Sequence, residues 1–122
     1  FPDEIDARNR IARRYSEALR NTVVVPEVPA GSLSVWAQYT IRVPAARRDQ
    51  LAAVLRAEGV PTAVYYPIPL HRQQAYKHFP VGDGGVAVSD RLAGEVISLP
   101  MHAYLDDTTQ DRIIDAVRRA LV

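Results

Sequence analysis

The chain has 122 residues, 48% hydrophobic and 24% charged, with a net charge of +1. That length supports one core burying roughly 65% of the unfolded surface, and the composition is that of an ordinary globular domain, neither disordered nor membrane-spanning. The absence of cysteine excludes disulfides and thiolate metal sites, and the near-neutral balance with scattered arginines argues against a nucleic-acid partner.

From Glu4 to Leu19 the apolar residues Ile5, Ile11, Ala12, Tyr15, Ala18 and Leu19 recur at near-helical spacing. Acidic residues at the start and Arg20 at the end suit the helix dipole. Val23 to Val25 is a short buried run, and Pro26 to Ser34 reads as a loop. Val35 to Val43 alternates apolar and polar positions, the pattern of a strand with one face inward. Ala45 to Glu58 reads as a helix stopped by Gly59, and Val60 to Tyr66 as a returning strand. A short helical turn is expected over Gln73 to His78, then a glycine-rich link, a helix over Val86 to Glu95 and a strand over Glu95 to Leu99. The last helix is expected to be capped within Asp106-Asp107-Thr108, with Thr108 and Asp111 at capping-box separation. The sum is an α+β fold: a small mixed or antiparallel sheet of about three strands with helices packed on one face.

The least ordinary stretch is Val64 to Tyr76, which holds three of the six tyrosines, two of the nine prolines and one of the three histidines. Pro67 and Pro69 end the strand and restrict the residues before them, so the chain entering His71 is stiff. A rigid loop at a strand end that displays Tyr66, His71, Arg72 and Gln73 suits binding as well as it suits a solvated turn. His102 sits in a second loop after a strand end, Met101 to Leu105, and strands ending on one side of a sheet would bring the two loops to one pocket wall. Tyr65 and Tyr104 read either as core aromatics or as stacking surface in that wall, and His102 either as a ligand contact or as a satisfied, partly buried histidine.

No catalytic set is visible. The three histidines lack metal-ligand spacing, the glycines at 82, 84 and 85 lack the spacing of a phosphate loop, and Asp106 and Asp107 are explained by capping. Fourteen of the fifteen basic residues are arginine, so Lys77 is the sole candidate for any chemistry that needs a side-chain amine. The opening Phe1-Pro2-Asp3-Glu4 lacks methionine and already reads as a helix start, which points to a segment of something longer.

Three ordered motifs carry a family resemblance: Ser34-Val35-Trp36-Ala37-Gln38-Tyr39-Thr40, then Tyr66-Pro67-Ile68-Pro69-Leu70-His71 with Gln73 and Ala75-Tyr76, then Leu92 to Glu95 leading into Ser98-Leu99-Pro100-Met101-His102. Together they resemble the C-terminal small domain of the DegT-type sugar aminotransferases, pyridoxal-phosphate enzymes of fold type I that aminate keto sugars on nucleoside diphosphates. The wording of the first two motifs is similar to the branch that makes 3-amino sugars of UDP-linked acetamido uronic acids for surface polysaccharide. The resemblance implies that residues 1–122 form a single domain, with the large domain carrying the Schiff-base lysine and the cofactor absent from it, so that this portion is inactive alone and binds no cofactor. Lys77 matches no family position. It further implies that His71 and Tyr66 face the nucleotide sugar, that His102 borders the same region, and that the enzyme is a homodimer, while the lack of cysteine and of a basic-then-apolar start makes the cytoplasm the default setting. The competing expectation is a non-enzymatic α+β ligand-binding or regulatory module, consistent with the small size and missing catalytic set.

Overall fold

The computed structural model describes all residues from Phe1 to Val122. Its centre is an antiparallel pair of strands, β1 (Tyr39–Arg42) and β2 (Val96–Leu99), with Tyr39 opposite Leu99 and Ile41 opposite Ile97. Single bridges flank the pair: Val24 exchanges two backbone hydrogen bonds with Arg42, and Ala63 two with Ser98. The sheet is thus a two-strand ladder with one-residue extensions on both sides, every neighbour antiparallel. Residues 60–66 contribute only Ala63 to it, since Pro61 and Pro67 lack the N–H groups a longer ladder needs.

β1 is shorter than the alternation over Val35 to Val43 predicts. Trp36 has φ of 50°, a left-handed conformation rare for a bulky residue, which breaks the extended run. Helix α1 (Pro2–Leu19) holds it there: Arg8 Nη1 donates to the Trp36 carbonyl at 2.9 Å, and the indole Nε1 donates to Asn9 Oδ1 at 3.0 Å.

Helix α2 (Ala45–Ala57) ends in a Schellman motif. Gly59, at φ of 73°, donates to the Arg56 carbonyl at 3.0 Å, and Val60 donates to the Leu55 carbonyl at 2.8 Å. Helix α3 (Ala87–Glu95) runs directly into β2, and α4 (Asp107–Leu121) packs against both α1 and α2. The cap of α4 is Asp106, whose carboxylate accepts from the Thr109 N–H and hydroxyl, each at 2.8 Å. Thr108 therefore lies inside the first turn, two positions beyond the N-cap, and not at the N-cap itself as its spacing with Asp111 implies.

Tyr15, Leu19, Tyr39, Ile41, Leu51, Leu55, Ile97 and Val117 fill the core between sheet and helices with essentially no solvent contact. Each such aliphatic side chain contributes roughly 1.5–3 kcal/mol by leaving water. The two tyrosine rings lie 4.9 Å apart and their polar ends are satisfied: Tyr15 Oη donates to the Pro100 carbonyl at 3.0 Å, and Tyr39 Oη pairs with Ser16 Oγ at 2.8 Å. Burial pushes both phenols above their ordinary range, and for Tyr15 the neighbouring Tyr39 adds to the effect.

The preference for arginine has a structural use. A helix leaves its last carbonyls without partners, and a guanidinium, with several donors and a permanent positive charge, suits them. Arg118 donates to Ala18 at the end of α1, Arg112 to Glu58 just after α2, Arg48 to Ala93 near the end of α3, and Arg47 to Ala120 at the end of α4.

Candidate functional site

From Tyr65 onward the chain leaves the sheet and returns only at α3. Between them lies a cleft of about 1060 Å³, walled by Tyr66, Ile68, Leu70, Tyr76 and Phe79 on one side and by Val86, Leu92 and Val96 on the other. Polar groups are few: His71, Gln73 and Ser89 among them. A roomy, mainly apolar concavity with sparse polar groups is the usual form of a small-molecule site.

The proline-fixed approach leads into one turn of 3-10 helix, Leu70–Arg72, whose Arg72 N–H donates to the Pro69 carbonyl at 2.9 Å. This turn places the His71 side chain, 20% exposed, at 2.8 Å from Asp90 Oδ1 through its Nε2. Arg72 Nε reaches the same oxygen at 2.6 Å. Asp90 stands in the first turn of α3, where the helix dipole favours a carboxylate. Partial desolvation opposes its ionisation, but the hydrogen bonds and charges of Arg72 and His71 outweigh that and hold the carboxyl below its ordinary range. The reversal that brings α3 back runs through Gly84 and Gly85, with φ of 85° and 76°.

The three residues singled out in the sequence are not all together. His71 and Tyr66 line the same cleft, with Tyr66 72% exposed. His102 lies outside it, exposed, in the turn that Leu105 N–H closes on the His102 carbonyl at 3.2 Å. The two loops do approach each other, but through other residues: Tyr65 and Met101 share a separate hollow of about 280 Å³. Neither Tyr65 nor Tyr104 is a core aromatic, and the Tyr104 hydroxyl donates to Glu4 Oε1 at 2.7 Å. That carboxylate raises the phenol above its ordinary range. Asp90 escapes the sequence reading altogether, because nothing local distinguishes an acid in a helix's first turn from one that serves the dipole alone.

Pyridoxal phosphate needs an amine for attachment and a cradle for its phosphate. Lys77, the one side-chain amine, is exposed in the turn after the cleft's proline loop and does not line the cleft. The cleft itself therefore offers no amine for that attachment. No group of histidines and acids is placed to hold a metal, and no helix is long and apolar enough to cross a membrane.

The profile of the DegT/DnrJ/EryC1/StrS aminotransferase family matches residues 1–118. The chain belongs to that family. A family relative from Pseudomonas aeruginosa, UDP-2-acetamido-2-deoxy-3-oxo-D-glucuronate aminotransferase, is 42% identical over 119 residues, covering 95% of this chain and 31% of the relative. The crystal structure of a family aminotransferase from Brucella abortus superposes with a TM-score of 0.93 at 53% identity, covering 98% of this chain and 31% of that one. NtdA of Bacillus subtilis, solved with its cofactor PMP bound, superposes with a TM-score of 0.80 at 25% identity, covering 97% of this chain and 28% of that one. The chain therefore spans about a third of the length of the family members it matches. Their architecture agrees with the α+β fold, including its small antiparallel sheet.

Proposed function

We propose that residues 1–122 form the C-terminal small domain of a pyridoxal-phosphate-dependent aminotransferase that aminates a keto sugar carried on a nucleoside diphosphate. The 42% identity to the Pseudomonas aeruginosa enzyme across nearly the whole chain is the observation that carries this reading. By the same likeness the substrate is a UDP-linked 3-keto acetamido uronic acid, consumed in making surface polysaccharide. The cofactor supplies the amino-group chemistry and sits with its lysine on the large domain, so this chain alone is inactive. The chain's own contribution is to bind and orient the sugar nucleotide, with His71 and Tyr66 in the cleft and His102 bordering the region as loop architecture. A homodimer in the cytoplasm completes the proposal.

The test uses the full-length protein in its PMP form, mixed in single turnover with UDP-2-acetamido-2-deoxy-3-oxo-D-glucuronate while the cofactor absorbance is followed. His71→Ala is expected to lower the second-order rate constant about tenfold, the worth of one good hydrogen bond, with the cofactor spectrum intact. An unchanged rate constant removes His71 from the site, and no turnover of this sugar by the wild type refutes the substrate assignment.

A further inference from the structure

The contact between His71 and Asp90 constrains the imidazole more tightly than the cleft alone does. An ionised carboxylate only accepts hydrogen bonds, so the 2.8 Å approach of His71 Nε2 to Asp90 Oδ1 requires the proton on Nε2. The other ring nitrogen, Nδ1, has no hydrogen-bond partner within the fold, and His71 is a wall residue of the cleft. In the neutral ring Nδ1 is an acceptor, the complement of a sugar hydroxyl.

Asp90 is itself held. Arg72 reaches the same oxygen at 2.6 Å while remaining 64% exposed, so the carboxylate is pinned between a neighbour of His71 and the first turn of α3. The backbone separation between His71 and Asp90 is 19 residues, and the glycine reversal at 84 and 85 closes it. The arrangement joins the two walls of the cleft through one carboxylate.

We propose that Asp90 is the positioning residue of His71: it fixes the ring's orientation and its Nε2–H tautomer, leaving Nδ1 as the atom that accepts a hydroxyl of the bound sugar nucleotide. The inference rests on the reading of His71 as a substrate contact. A hydrogen bond made by one ring nitrogen decides what the other can do, and at metal-ligating histidines loss of such an orienting partner costs tenfold or more.

The experiment is a double-variant cycle on the full-length protein in its PMP form, using the same single-turnover reaction, with circular dichroism to confirm folding. Asp90→Ala is expected to lower the rate constant about tenfold, and to add less than twofold when His71→Ala is already present. Asp90→Asn, which keeps an acceptor oxygen, should recover at least a third of the wild-type value. Nitrogen-15 NMR of the imidazole supplies a readout independent of turnover: wild type shows a protonated Nε2 and an unprotonated Nδ1 in the neutral ring, and Asp90→Ala shows the two tautomers averaged. A full effect of His71→Ala with none from Asp90→Ala overturns the role of Asp90, as does an Asp90→Ala loss that persists undiminished in the double variant. An identical nitrogen spectrum in wild type and Asp90→Ala overturns it as well. No effect of His71→Ala overturns the underlying reading of the site, and the spectrum then still reports whether Asp90 sets the tautomer.

Discussion

Replacing Tyr15 by phenylalanine separates two effects that the buried phenol exerts at different pH. At neutral pH the variant loses the hydrogen bond to the Pro100 carbonyl and keeps the ring contact with Tyr39. The cost is about 1 kcal/mol, or a fall in Tm of roughly 3–6 °C for a chain of this size. At alkaline pH the sign reverses. Burial holds the folded-state pKa of Tyr15 well above its ordinary value of 10.0, so the unfolded chain releases this proton first. The stability due to the neutral phenol is complete below pH 10 and drains away above it, reaching about 1.4 kcal/mol lost at pH 11. Phenylalanine has no such loss. The two stability curves should cross near pH 10.6, roughly where the linkage loss equals the hydrogen-bond gain. Urea unfolding of both proteins between pH 7 and 11, followed by circular dichroism, measures this directly. Curves that stay parallel would refute the reasoning, because they would mean that Tyr15 ionises in the folded protein as it does in water.

Three further outcomes follow from other parts of the fold. Gly85→Ala should cost about 1–2 kcal/mol, all from the left-handed backbone, because a Cβ there meets nothing within 4 Å. Gly82→Ala in the same turn also meets nothing and has no positive φ, so its unfolding free energy from urea titration should stay within about 0.5 kcal/mol of wild type. On the acid side, hydrogen bonds from the Thr109 backbone and hydroxyl depress Asp106 below its ordinary range. Its contribution is present above the ordinary value of 3.8 and lost as pH falls through the depressed one, so acid titration of Asp106→Ala should show a shallower decline below pH 4 than wild type.

The helices were legible because a 3.6-residue apolar spacing records which face meets the core: Ile11, Tyr15 and Leu19 in α1 are all buried, as are Ile113, Ile114 and Val117 in α4. Strand ends were less so. The alternation in residues 35–43 continues through Trp36, but that residue's conformation is set by Arg8 and Asn9, 28 and 27 positions earlier, and local pattern contains no such information. The stiffness before His71 follows from Pro67 and Pro69 alone, whereas the partner of its ring is an aspartate delivered by a different helix. His102 shows the opposite limit. Its setting after a strand end resembles that of His71, yet the turn that Leu105 closes leaves it outside the cleft.

The arginines that close the helix ends bear on how the chain folds. Arg118 reaches α1 from 100 positions away, Arg47 reaches α4 from 73, Arg112 reaches the end of α2 from 54, and Arg48 reaches α3 from 45. Beside the local backbone caps, each helix end takes a guanidinium donor from a distant segment, so its last carbonyls are fully satisfied only once that segment has docked. Contacts so widely separated in sequence repay their loop-closure entropy only when made together. The helix ends therefore couple the four helices into one cooperative unit, and they should melt in a single transition.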